Sequence, residues 1–182
     1  MVLVWAAALG GCDAIAKTLG DAGFRGARNC KVFLDRNAIV TQYTLRNAKA
    51  TVRIEAVSTK ESTTYSAAAF VHDILVASAG GDDLAEVLKD LKAEAERWAE
   101  RLVNVANALL AGAEAAAKKV VQSINESIGG QERATYLAIV ADAQTKVREA
   151  VASLADGVRD LMDMMSLGDS NASKMADLLA LD

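Results

Sequence analysis

The sequence predicts an α+β protein, mostly α, in which a long antiparallel helical hairpin with a coiled-coil-like seam follows a small N-terminal antiparallel β-meander. Three observations predict it. From Leu84 to Leu109 apolar residues recur at steps that alternate four and three, the spacing that lines one face of a helix packed along a partner. Between residues 31 and 58 β-branched residues concentrate and the apolar period falls toward two, as it does in strands. Proline is absent from the 182 residues, so nothing forces a break in the hydrogen-bond ladder of a long helix.

Composition sets the kind of core. Apolar residues make up 52% of the chain but aromatics only 4%, so the interior is built from Ala, Val, Leu and Ile, and Ala-rich helices can approach closely. The net charge of −4 comes with both signs interspersed, which leaves no basic footprint for nucleic acid. The chain divides into an apolar N-terminal segment (1–12), a small α/β region with a β-hairpin (13–80), and a helical hairpin with a short C-terminal helix (82–182).

The first eleven residues read Met-Val-Leu-Val-Trp-Ala-Ala-Ala-Leu-Gly-Gly, far short of the ~20 apolar residues that a membrane-spanning helix needs. Leu9, Gly10, Gly11 and Cys12 resemble the lipobox of bacterial lipoproteins, with an apolar run where the h-region of a signal peptide would stand and the polar Asp13 directly after. No Lys or Arg precedes Cys12, a departure from the basic start of such signals. The resemblance implies lipidation at Cys12, a membrane tether through that residue, and retention at the inner membrane through Asp13. Read without it, the segment is a short buried helix or strand with Cys12 as a small apolar filler. A Cys12–Cys30 bridge is a third outcome in an oxidising compartment.

Asp13 to Leu19 can form helical turns with Ile15 and Leu19 on one face, and Gly20, Gly23 and Gly26 then read as a flexible connector. Strands are expected at Lys31–Leu34, at Ile39–Leu45, where Ile39, Thr41, Tyr43 and Leu45 share a face, and at Val52–Ala56. Turns fall at Asp35 to Asn37 and Asn47 to Lys49. Thr59 to Thr64 is expected to be a loop, and Tyr65 to Ala79 a helix carrying Phe70, Ile74 and Leu75, with a further strand through Phe70, Val71, Ile74 and Val76 as the alternative, ended by Gly80 and Gly81.

Asp82 or Asp83 is the expected N-cap of the long helix, with Glu86 at the capping-box spacing from Asp83. The interaction seam is then Leu84, Leu88, Leu91, Ala95, Trp98, Leu102, Val105 and Leu109. Gly129 and Gly130 turn the chain, and the return helix answers with Val140, Val147, Val151, Leu154, Val158 and Leu161. Gly168 closes it, and Ser170 or Asn171 caps a last helix with Met175, Leu178 and Leu179 on one side. Met162, Met164, Met165 and Met175 form either an adaptable core end or a partner-binding surface.

The residues that catalysis needs are sparse. His72 is the single histidine and reads as a partly buried structural residue, and two cysteines with one histidine do not make a usual zinc ligand set. No catalytic residue, cofactor or metal is therefore expected. The expected function is that of a non-enzymatic interaction or scaffold protein of the bacterial cell envelope, tethered through lipidated Cys12. Its partner is another protein or a further copy of itself, and nucleic acid is not expected. The alternative is a soluble self-assembling structural subunit of a filament, virion or secretion apparatus.

Overall fold

A computed structural model describes the backbone of residues 2–180 and the side chains of residues 11–180. The chain runs α1 (Val2–Asp21), β1 (Ala27–Asp35), β2 (Ala38–Arg46), β3 (Ala50–Ser58), β4 (Thr63–Val71), β5 (Ile74–Gly81), α2 (Leu84–Ser127), α3 (Gly130–Met164) and α4 (Ser170–Ala180). The α+β class with long helices after an antiparallel sheet is as the sequence predicts. Two compact units divide it: Met1–Ala99 with Gly157–Asp169, and Glu100–Asp156 with Ser170–Asp182.

The first unit is built on a five-stranded antiparallel meander in the order β1-β2-β3-β4-β5. Three of its strands fall where the β-branched pattern places them. The expected helix over Tyr65 to Ala79 is instead two strands, β4 and β5, joined by His72 and Asp73 at φ 50° and 61°. Two successive positive φ angles make the mirror-image turn whose twist suits a hairpin, and Asp and His tolerate it better than most side chains. The alternation was hidden because alanine stands on both faces: Ala67 and Ala69 are buried while Ala68 is half-exposed.

Side-chain hydrogen bonds close the turns at Asn47 and Thr59. The Asn47 Oδ1 accepts from the Ala50 amide at 2.9 Å, and its Nδ2 donates to the Asp160 carbonyl of α3 at 2.7 Å. Thr59 Oγ1 accepts from the amides of Glu61 and Ser62, each at 3.3 Å.

The inner face of the sheet carries Tyr43, Leu45, Val52, Ile54, Ala69 and Val71. Against it lie Ile15 and Leu19 of α1, Leu84, Leu88 and Leu91 of α2, Val158, Leu161 and Met162 of α3, and Met165 just past it, all buried. Met162, Met164 and Met165 are thus core, and so is Met175 in the second unit.

Gly20, Gly23 and Gly26 do not form a loose connector. The Phe24 amide donates to the Leu19 carbonyl and the Gly23 amide to the Gly20 carbonyl, with Gly23 at φ 81°, a Schellman cap completed by the buried Phe24. The end of α3 repeats the device. Leu167 donates to the Met162 carbonyl and Ser166 stands at φ 53°, so Ser166 takes the closing role expected of Gly168. The two caps meet, since the Ser166 hydroxyl donates to the Gly23 carbonyl and the Arg25 amide to the Met164 carbonyl.

In the second unit the outer parts of α2 and α3 form the hairpin, with the turn at Gly129 and Gly130, where Gly130 has φ 60°. Arg133 reaches back from the first turn of α3 and donates to the carbonyls of Ile128 (2.7 Å) and Asn125 (3.2 Å), satisfying the open end of α2. Arg148 donates to the Leu179 carbonyl of α4 at 3.2 Å.

Candidate functional site

Three features are candidates for function: the seam of the long helices with its flanks, the cysteine pair, and the outer face of the sheet.

Along α2 the positions withdrawn from solvent are Leu84, Leu88 and Leu91, then Ala95, Ala99 and Leu102. They continue through Ala106, Leu110 and Ala113, then Ala117, Val121 and Ile124, and end at Ile128 just past the helix. The steps run four, three, four, so each position recurs after eleven residues rather than seven. Both repeats miss the 3.6-residue turn slightly and in opposite senses, and the helix follows the eleven-residue line, in which alanine takes five of the thirteen positions. Leu84, Leu88 and Leu91 are buried as expected, and Trp98 and Leu102 are half-buried. Val105 and Leu109 are exposed, because Ala106 and Leu110 take the inner positions. That corrects their place in the seam.

On α3 the predicted residues lie closer to expectation: Val151, Val158 and Leu161 are buried, and Val147 and Leu154 half-buried. Arg133, Leu137, Val140, Gln144 and Arg148 continue the inner line toward the turn, all half-buried.

The displaced large residues gather on one flank. On α2, Val105, Leu109, Gly112, Ala116 and Val120 each stand one residue before an inner position. On α3, Tyr136, Ile139, Ala143, Ala150 and Leu154 do the same, while Val147 turns toward the groove on the other side. In two antiparallel helices the residues just before the seam fall on the same side, since each helix turns by about 100° per residue in opposite senses along the common axis. One side of the hairpin is therefore an uncharged strip.

The other side is polar and occupied. A groove there of about 420 Å³ is lined by Asn107, Glu114 and Lys118 of α2, Gln144 and Arg148 of α3, and Leu178 of α4. Glu114 pairs with Lys118 at 2.8 Å. That hydrogen bond and charge, with a smaller pull from Arg148, hold the Glu114 carboxyl below its ordinary pKa.

The cysteines are joined. Cys12 of α1 and Cys30 of the edge strand β1 form a disulfide with their Cα atoms 6.1 Å apart, which staples the first helix to the sheet next to Gly11, where a Cβ would lie 3.1 Å from Thr41 Oγ1. A sulfur in a disulfide carries no thioether lipid. Lipidation at Cys12 and this bridge are thus mutually exclusive, and the tether does not apply to the disulfide-bonded chain. The apolar run that would serve as an h-region lies outside the residues whose side chains are described. Among the described residues, no helix is long and apolar enough to cross a membrane.

Outside the core, the sheet has a shallow concavity of about 650 Å³ whose floor includes Ser66, Ala68, Ser78 and Gly80. On its rim, Gln42 donates to Glu55 at 3.0 Å, and Arg53 stacks over Phe70 at 4.9 Å. His72 stands at the β4–β5 turn and is exposed, not partly buried as expected, with its Nε2 3.1 Å from where a Cβ on Gly157 would sit. Lys92 donates to the Ala22 carbonyl at the end of α1 and lies over the Phe24 ring at 5.2 Å. Burial lowers its pKa, and Glu96 offsets part of that. Among the described residues, no three His, Cys, Asp or Glu side chains gather as metal ligands. Compared with protein-family models, curated proteins and solved structures, the chain matches none.

Sequence reasoning found the hairpin and its turn but missed Arg133, Gly112 and the flank as functional candidates. The signal was present in the second apolar line one residue before the alanines, which reads as the seam itself when large residues are weighted over small ones.

Proposed function

We propose that the protein is a non-enzymatic interaction protein of the bacterial cell envelope, a scaffold whose helical hairpin meets a protein partner. The observation that carries this reading is the uncharged flank of the hairpin, left open while its opposite side holds α4. Contiguous exposed apolar surface is costly to keep in water and marks a contact site more often than chance does. The disulfide supports the compartment, because such bridges persist on the oxidising side of a membrane. The tether through Cys12 is dropped for the disulfide-bonded chain, since one sulfur cannot serve both roles.

The test uses a photo-cross-linking residue placed at Leu109 or, as a control on the polar side, at Lys118, in cells that make the protein. A discrete adduct from position 109 and none from 118 is the expected result. Absence of any adduct from 109 contradicts the reading. Intact mass of the non-reduced chain is expected to rise by two hydrogens on reduction, and an acylated Cys12 would contradict the bridge.

The second reading, a self-assembling structural subunit, is favoured by the β5 edge. Ile74 to Gly81 has no charged residue and exposes Ile74 and Leu75, whereas the opposite edge, β1, carries Arg28, Lys31 and Asp35, the kind of charge that blunts strand pairing. Open-ended polymers in sedimentation would favour this reading, and a discrete species the first.

A further inference from the structure

We infer that the open flank of the hairpin is a self-docking surface: two copies pair antiparallel through α2, about a two-fold axis beside Gly112. This rests on the reading of the hairpin as the interacting element and names its partner.

Gly112 is the starting point. It stands in the interior of a 44-residue helix, where glycine is the poorest residue after proline, and nothing in its own chain lies within 4 Å of where a Cβ would be. The single chain has no steric use for it. A glycine on an apolar helix face lets a second backbone come close, and Gly112 lies in the middle of the open strip.

The strip is self-complementary about that point. Antiparallel pairing centred between Gly112 and Ala113 sets Val105 opposite the second copy's Val120, and the large Leu109 opposite the small Ala116.

The area also suffices. Val105, Leu109, Val120, Tyr136 and Ile139 are each 42–58% exposed, on the order of 100 Å² apiece, so a two-fold pair removes roughly 1,000 Å², where specific interfaces begin. The outer hairpin needs such a layer. Between residues 107 and 150 only Ala117 and Ile124 are buried, which is little apolar packing for two helices of this length.

The experiment measures solution mass by light scattering at micromolar concentration, without reductant, for the wild type, Gly112→Arg and Leu109→Arg. Circular dichroism and the unfolding midpoint are recorded for each. The expected wild-type mass is twice the 19.1 kDa of the chain, and both variants fall to the single-chain mass with helix content unchanged. Gly112→Cys is expected to cross-link to a dimer on mild oxidation, because the two cysteines would face each other at the axis.

A wild type of single-chain mass overturns the inference, as does a dimer that survives Gly112→Arg or a Gly112→Cys that does not cross-link. Binding of a monomeric chain to vesicles would assign the strip to lipid instead and also overturn it. A monomer that still yields the Leu109 photo-adduct in cells sinks self-pairing alone. Loss of both results sinks the interaction reading as well.

Discussion

Gly157 and Gly20 show how differently one residue type acts at two places in helices. A Cβ on Gly157 would lie 2.5 Å from Val71 Cγ1 and 3.1 Å from His72 Nε2, whereas one on Gly20 would meet nothing within 4 Å. Gly157 is what lets α3 close on the β4–β5 corner. Gly157→Ala is expected to destabilise the chain by about 1–3 kcal/mol through overpacking, while Gly20→Ala leaves stability unchanged or raises it by up to about 1 kcal/mol. Chemical denaturation of the two variants checks the opposite signs. At this scale the sequence was legible where a side chain has an intrinsic preference: Ile15 and Leu19 for the core, Asp83 for the cap. It was silent where a distant neighbour or a reach across a turn decides, as with Asn47 holding Asp160, Arg133 reaching back over the turn to close α2, and Ser166 taking a left-handed angle.

For the elements, periodicity is informative only when the two faces differ in size as well as polarity. In β2 and β3 large β-branched residues alternate with polar ones, and both strands lie where the pattern puts them. In β4 alanine fills inner and outer positions alike, and its helix propensity outweighs a strand period that small residues barely express. The same blindness to alanine misplaced the seam of α2, where a heptad of large residues diverges from an eleven-residue line that carries alanine at Ala99, Ala106, Ala113 and Ala117. Capping was easier to read, because it is local. Asp83 Oδ1 accepts from the Glu86 amide at 3.3 Å at the start of α2, and Asp83→Ala is expected to cost about 1 kcal/mol. A fall of that size in unfolding free energy, with helix content otherwise intact, is the check, and no change would remove the cap from the account.

Across the whole chain, an unusually small-residue core goes with large residues held outside it. The disulfide closes an 18-residue separation and stabilises the first unit by about 3 kcal/mol on the chain-entropy estimate. The second unit has no covalent staple among the described residues and buries mainly alanine along its seam. The fold class, the helical hairpin and its turn could be read from sequence because they depend on local propensity and on apolar spacing over many residues. The open flank could not, because it depends on which of two adjacent lines the helices choose to bury. That choice is tested most directly by unfolding Ala106→Lys and Val105→Lys side by side in a Gly112→Arg background, which keeps single chains apart. Ala106→Lys is predicted to lose about 3 kcal/mol or more of stability, for a charge forced into the seam, and Val105→Lys to stay within about 0.5 kcal/mol. The reverse order would mean that the helices bury the heptad line after all, and that the flank is not open.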